Sequence, residues 1–272
     1  MDVNQQDLKA PIEPVPSLEQ NHTEQSFRVV ADEGVVLVEF AYGHRHNPWP
    51  MARMRELQQI ITALGNDDAV HAVVLYSGPG RSFGVGGDFH ETANFRGGDE
   101  VDVWIDHITD LYVACLRLNR PLIAAIDGYA IGIALQIALT ADYRIGSDSC
   151  VLKMPEFELG IACTFGGFML ERVVGNSVMQ NMLMSCDDWP SDRALRDGLL
   201  HEVVPAAELL EAALKRARRC AAFAAVGFRS TKPHLTRAYI EGLEQVRVYG
   251  KIAHRAAFAA GEAQKKMRNV LS

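Results

Sequence analysis

The chain has 272 residues, 48% of them apolar and 22% charged, with a formal net charge of −7. That size and balance fit one large globular domain, or one domain with an appendage. The negative charge argues against a nucleic-acid partner, and no apolar run approaches the roughly 20 residues of a membrane-spanning helix.

Residues 1–26 are polar and acidic, with no basic stretch leading into an apolar core. They read as a flexible extension and not as a secretory signal. Two short runs, 28–30 and 35–40, flank Asp32-Glu33-Gly34 and predict a hairpin. Met51, Met54, Leu57, Ile61 and Leu64 recur at helical spacing over 50–65, and the pattern stops at Gly65-Asn66. Residues 70–76 form an apolar, β-branched run that suits a strand covered on both faces. Over 101–118, Trp104, Ile108, Leu111, Cys115 and Leu118 fall on one helical stripe. A strand is predicted at 122–126, a helix at 132–141, and short strands at 142–146 and 151–154. Helices follow at 166–174, at 178–185 and from Ser191 to Gly198. A strand at 201–204 precedes an Ala-rich helix over 206–225 and a largely helical stretch over 233–270.

Alternating strands and helices predict an α/β layered fold. The strand-free part from 227 reads as a separate packing element, either closing over a site or docking on a neighbouring subunit. The expected organisation is therefore an extension (1–26), a core (27–226) and a C-terminal helical region (227–272). The five cysteines, Cys115, Cys150, Cys163, Cys186 and Cys220, lack CxxC spacing. They read as buried thiols of a cytoplasmic protein.

Three segments bear on chemistry. Ser82-Phe83-Gly84-Val85-Gly86-Gly87-Asp88-Phe89 and Asp127-Gly128-Tyr129-Ala130-Ile131-Gly132-Ile133 each follow a strand and lead toward a helix. Such turns expose backbone N–H groups at the positive end of a helix dipole. Two of them converging on one point would make an oxyanion hole. Alone, a turn of this kind more often simply connects two elements. Gly84-Val85-Gly86-Gly87 lacks the spacing of a dinucleotide fingerprint, and no Lys-Ser/Thr follows to make a P-loop. The third segment is Met154-Pro155-Glu156-Phe157-Glu158-Leu159-Gly160-Ile161. Apolar surroundings would raise the Glu156 pKa, as suits a general acid or base; read alone, such a residue is more often a solvated loop acid. Glu158 is assigned to the surface. His254 lies among alanines on the last helical stretch, where a histidine is usually structural or exposed. His44 and His46 have no third ligand at metal-binding spacing, so no metal site is expected. No G-x-S-x-G elbow is present. The basic runs 215–219 and 265–268 read as solvated helix faces, either of which can meet the phosphates of an anionic ligand.

Together the three motifs resemble the crotonase superfamily, the enoyl-CoA hydratase/isomerase fold. The resemblance rests on Phe83-Gly84-Val85-Gly86-Gly87-Asp88, Gly128-Tyr129-Ala130-Ile131-Gly132, and Pro155-Glu156 followed by Leu159-Gly160-Ile161 and Gly166-Gly167. It implies a spiral of ββα units with a helical C-terminal part that builds trimers, often paired into hexamers. It also implies a CoA thioester whose carbonyl sits between two backbone N–H groups, which fall on Gly87 and Ile133. Hydratases of this family use two glutamates, and the first falls on Gln136, which cannot take a proton. That departure points to the branch of the family whose members make carboxymethylproline for carbapenem antibiotics. The same branch is indicated by His46-Asn47-Pro48, Trp104-Ile105-Asp106, Gly160-Ile161-Ala162-Cys163 and His254 before Ala256-Ala257-Phe258.

This closer resemblance implies decarboxylation of malonyl-CoA to an enolate, attack on pyrroline-5-carboxylate and hydrolysis of the thioester. Glu156 would activate water, Gln136 would hydrogen-bond substrate, Trp104 and His254 would shape the pocket, and Arg45 would contact CoA. Malonyl-CoA enters as a substrate, and no permanently bound cofactor is implied. Val85 and Ile133 depart from that branch's pattern, which leaves the shape of the imine pocket open. Another acyl-CoA enzyme of the family (a decarboxylase, thioester hydrolase, isomerase or hydratase) and a non-catalytic binder remain as alternatives.

Overall fold

The computed structural model describes residues 26–223 and 225–271. The expected extension lies outside the described residues except for Ser26. Strands β1 (Phe27–Asp32) and β2 (Val35–Phe40) pair antiparallel, with Asp32 opposite Val35. Glu33 and Gly34 between them both take positive φ, 47° and 83°, as a two-residue hairpin turn requires. The chain continues through α1 (Met51–Asn66), β3 (Ala72–Tyr76), α2 (Phe89–Thr92), α3 (Asp99–Arg117) and β4 (Leu122–Ile126). Then come β5 (Tyr129–Ile131), α4 (Ile133–Leu139), β6 (Tyr143–Ser147), β7 (Val151–Lys153), α5 (Glu156–Leu159) and α6 (Thr164–Ser185). It closes with β8 (Trp189–Pro190), α7 (Ser191–Arg196), β9 (Glu202–Val204), α8 (Leu209–Ala221), α9 (Ala225–Ala259) and α10 (Glu262–Leu271).

The larger sheet has the order β1-β2-β3-β4-β6-β9, and every pair after the first is parallel. Its central strands β3 and β4 are buried along their whole length. One face meets the main core, and the other packs on Leu209, Ala213 and Ala217 of α8. Covering both faces explains why these strands carry unbroken apolar runs instead of alternation. The smaller sheet has the order β5-β7-β8. Successive strands divide between the sheets: β4 joins the larger and β5 the smaller, then β6 the larger and β7 the smaller. A helix closes each pair. This is the expected spiral of ββα units.

Differences from the expected elements have local causes. The helices expected at 166–174 and 178–185 form one assigned element, broken where Gly175 takes φ 79° and ψ 165°. The Ala-rich helix expected from 206 begins with a 3-10 turn and becomes α-helical only at Leu209. Helix α9 starts at Ala225, ahead of Pro233, so the residue-226/227 position falls inside it. Its early turns are held by Lys232, 3% exposed, whose Nζ reaches Asp142 Oδ2 at 2.6 Å and the Arg120 carbonyl at 3.2 Å.

The C-terminal helices pack on their own chain. Arg247, Lys251 and Arg255 of α9 face Asp99, Asp102, Asp106 and Asp110 of α3, with N···O distances between 2.7 and 3.2 Å. Exposed pairs of this kind contribute about 0.2–1 kcal/mol each. Further stabilisation comes from the ring cluster alongside, where Phe258 meets Phe95 at 5.2 Å and Trp104 at 6.0 Å. Helix α10 then folds back onto α2 and α5.

Lys232→Met should cost about 3 kcal/mol, because it leaves the Asp142 carboxylate without its cation while filling the same space. Urea unfolding reads the loss, and hydrogen exchange should rise first in 225–235.

Candidate active site

Backbone pairing sets the site. Phe83 N–H donates to the Asp127 carbonyl at 2.9 Å, Gly84 N–H to Tyr129 at 2.8 Å, and Ile131 N–H returns to Gly84 at 2.9 Å. Trp49 N–H donates to the Gly86 carbonyl at 2.9 Å. The approach is too close for a side chain at position 84: a Cβ there would lie 2.4 Å from Trp49 Nε1 and 2.7 Å from Ala134 Cβ. Gly132 joins β5 to α4 at φ 54° and ψ −120°, which L side chains rarely adopt. A Cβ on Gly132 would stand 3.9 Å from Gly86 Cα and 3.2 Å from Glu156 Oε1. The two glycine turns and the carboxyl therefore meet in one place.

That place opens on a cavity of about 840 Å³. Gly87, Ile133, Gln136, Glu156, Trp104 and His254 all line it. Gly87 N–H has no protein acceptor among the described residues. Ile133 is the first residue of α4, so its N–H has no partner within the helix. The wall is completed by Phe258 of α9 and by Met267, Val270 and Leu271 of α10. Of the two expected roles for the C-terminal region, the described residues thus show it closing over the site.

Glu156 begins α5, a single turn that ends at Gly160, φ 75°. Its Oε1 accepts from Gln136 Nε2 at 3.1 Å. Its Oε2 is buried with no partner among the described residues. Burial pushes the carboxyl up to about 7, against smaller downward pulls from its own backbone amide and the Cys163 thiol. A carboxyl poised there exchanges protons near neutrality. Gln136 is itself fixed, because its Oε1 accepts from Tyr112 Oη at 2.7 Å. Burial and the Glu156 charge hold the Cys163 thiol well above its ordinary value, so that thiol stays protonated.

The Trp104 indole lies against the first turn, with Cζ2 3.8 Å from where a Gly87 Cβ would be. His254 packs edge-on to it at 5.6 Å and donates from Nδ1 to the Gly250 carbonyl at 2.7 Å. Burial lowers the His254 pKa, with the Gly250 and Ala162 carbonyls opposing.

A family model described as enoyl-CoA hydratase/isomerase matches residues 30–270. The chain belongs to the enoyl-CoA hydratase/isomerase family. A carboxymethylproline synthase of Pectobacterium carotovorum subsp. carotovorum is 37% identical over 245 residues, which cover 90% of this chain and 98% of that one. The short-chain-enoyl-CoA hydratase of Clostridium acetobutylicum is 30% identical over 187 residues, covering 68% and 70%. ThnE from S. clavuligerus, a solved structure, shares 47% identity and a TM-score of 0.74, over 84% of this chain and all 100% of its own. An enoyl-CoA hydratase from Bacillus halodurans, at 20% identity and a TM-score of 0.83 over 90% and 100%, shares the fold. Enzymes of this family act on CoA thioesters and hold no permanent cofactor. Among the described residues no cluster of His, Cys, Asp or Glu is arranged to hold a metal.

The structure brings six of the seven residues singled out from sequence together around this cavity. Arg45 is exposed and does not line the cavity, although its neighbours His44 and His46 do. Sequence reasoning gave no role at the site to Tyr112, Cys163 or Arg53. Arg53 is 1% exposed and lies 4.2 Å over the Trp49 ring, with Phe27, Phe40 and Tyr42 around it. It donates to the Pro48 carbonyl at 2.8 Å and to Asn47 Oδ1 at 3.2 Å, while Asn47 Nδ2 donates to Ser82 at 2.8 Å. The His46-Asn47-Pro48 motif is thereby tied to the first glycine turn. One signal for Arg53 was available: it sits four residues before Leu57, on the apolar stripe of α1, where a charge is out of place.

The raised Glu156 pKa carries a stability consequence. The folded carboxyl holds its proton up to about 7, against 4.5 for an unperturbed glutamate. Stability from that proton is therefore full below about pH 4 and is lost as pH rises to about 7. The wild type should lose about 2–3 kcal/mol of unfolding free energy between pH 4 and pH 8 that Glu156→Gln does not lose. Urea titrations of both proteins at the two pH values check it, and parallel losses would rule out a buried titrating carboxyl.

Proposed function

We propose that this protein makes carboxymethylproline from malonyl-CoA and pyrroline-5-carboxylate. The observation that carries the reading is the pair Gln136 and Glu156, an amide 3.1 Å from a single near-neutral carboxyl. Water addition across a double bond asks for two carboxylates. Decarboxylation asks for an electron sink and no base. The thioester oxygen of malonyl-CoA accepts from the Gly87 and Ile133 amides. The bond from Cα to the carboxylate breaks, CO2 leaves, and its electron pair becomes an enolate held by those two donors. The enolate carbon attacks the imine carbon of pyrroline-5-carboxylate, and the ring nitrogen takes a proton from solvent. Glu156, as carboxylate, then draws a proton from water, which attacks the thioester; the C–S bond breaks, and Glu156 hands that proton to the departing coenzyme A thiolate. Trp104 and His254 shape the amino-acid pocket, Gln136 hydrogen-bonds substrate, and Arg45 contacts CoA outside the cavity.

The 37% identity to a carboxymethylproline synthase over nearly the whole of both chains supports the same reading. We place the enzyme in carbapenem-type antibiotic biosynthesis, in the cytoplasm, as a trimer or dimer of trimers. Val248, Tyr249 and Ile252 of α9 are all more than half exposed. They offer apolar surface for that assembly, which sedimentation equilibrium measures.

Incubation with malonyl-CoA and pyrroline-5-carboxylate should yield carboxymethylproline, CO2 and coenzyme A, detected by mass. Coenzyme A release that ignores the imine would instead assign a decarboxylase or thioester hydrolase. Glu156→Gln should keep CO2 release while hydrolysis falls about a hundredfold or more, so that the carboxymethylproline thioester accumulates. In the wild type the hydrolysis rate should climb with pH through about 7, as Glu156 ionises.

A further inference from the structure

The buried Tyr112 hydroxyl of α3 has a single acceptor among the described residues, Gln136 Oε1 at 2.7 Å. It stands outside the reaction proposed above. On its other side the Gln136 amide has two acceptors, Met154 Sδ at 3.5 Å and Glu156 Oε1 at 3.1 Å, the latter purely an acceptor once the carboxyl is ionised. A primary amide has one donating and one accepting end, and rotation by half a turn exchanges them. Turned the other way, the amide would set its oxygen against the Glu156 oxygen and orphan the Tyr112 proton in an apolar interior. A buried orphaned group of that kind costs about 1–3 kcal/mol.

We propose that Tyr112 is a positioning residue: its hydroxyl fixes which end of Gln136 faces Glu156, and so keeps the reacting carboxyl in its proton-accepting form. The role in water activation rests on the function proposed above, whereas the hydrogen-bond relay does not. An N–H donated to a carboxyl favours the carboxylate, and a carbonyl presented to it favours the acid. Tyr112 therefore works against the burial that raises Glu156. Of the other groups facing Glu156, the Cys163 thiol before α6 also lowers the carboxyl, but by a hydrogen bond that does not depend on which way the amide is turned. Burial lowers the pKa of His254 on α9 and so disfavours a positive charge there. Lys153 of β7 is engaged by Glu158 and Asp188 at 3.7 and 3.3 Å. From α10, Lys266 donates to the Glu158 carbonyl.

The test is a double-mutant cycle read on Glu156 itself. Difference infrared spectroscopy isolates the carboxylic-acid carbonyl band that Glu156→Gln removes, and a pH titration gives its midpoint without any substrate. Tyr112→Phe should move that midpoint upward by about one pH unit. In a Gln136→Leu background the same change should move it by almost nothing. In the turnover assay, Tyr112→Phe should slow hydrolysis about tenfold at pH 7, recover at pH 9, and leave CO2 release unaltered. An unmoved midpoint, or an equal shift with and without Gln136, overturns the relay. If Tyr112→Phe does not fold, Gln136→Leu alone decides the amide's part: its midpoint must rise above that of the wild type. Failure of the wild type to make carboxymethylproline counts against the proposed function alone, since the infrared midpoints stand apart from turnover.

Discussion

Three backbone hydrogen bonds hold the site together, those joining Phe83 and Gly84 to Asp127, Tyr129 and Ile131. They pull two turns, more than forty residues apart in the chain, into contact. Everything chemical follows from that contact: the two candidate donors, the placement of α4, and the position of Gln136 on its second turn. The constraint is steric before it is electrostatic. No side chain fits at position 84, and one at 132 would meet backbone strain at its positive φ and a tight contact with Glu156. The glycines are fixed by packing, and the free N–H groups result from it.

Around this frame the protein balances two opposed effects on one carboxyl. Burial favours the acid, while hydrogen bonds from its own backbone amide and from the Cys163 thiol favour the carboxylate. Burial outweighs them, and the carboxyl is pushed up to about 7. A second glutamate at 136 would face Glu156 at hydrogen-bonding distance and raise one of the two carboxyls further. The amide avoids that repulsion and still supplies a donor. The aromatic side of the cavity, built from Trp104, Phe258 and His254, adds apolar surface and fixed ring edges without adding charge.

Much of this was legible in the sequence, for identifiable reasons. Strands β3 and β4 announce themselves because burial on both faces demands uninterrupted apolar runs. Gly87, Ile133 and Gln136 were reached through the family resemblance that the glycine turns carry, and Glu156 through its apolar surroundings. The one-turn helices α2 and α5 left no periodic signal, since four residues cannot display a helical stripe. Strand β5 was hidden because its three residues pair across the glycine turn instead of extending a run. Pro233 misplaced the start of α9: its missing N–H ordinarily ends a helix, but here the buried Lys232–Asp142 pair holds that turn from the side. Tyr112 lies off the apolar stripe read over 101–118, and only its partner 24 residues away distinguishes it.

The ladder between α3 and α9 has a consequence of a different sort. Its charges repeat every three or four residues on both helices, so sliding one helix along the other by a full turn would re-form most of the pairs. Such a pattern sets polarity and proximity but is nearly indifferent to translation, like a comb meshing with a comb. Something aperiodic must choose the notch. Gly242 and Gly250 of α9 do so, since Phe168 and Phe165 of α6 occupy the space a Cβ would need, at 2.3 and 2.9 Å. The glycines thus work as keyways. They fix where Phe258 and His254 stop along the helix, and with them the dimensions of the cavity.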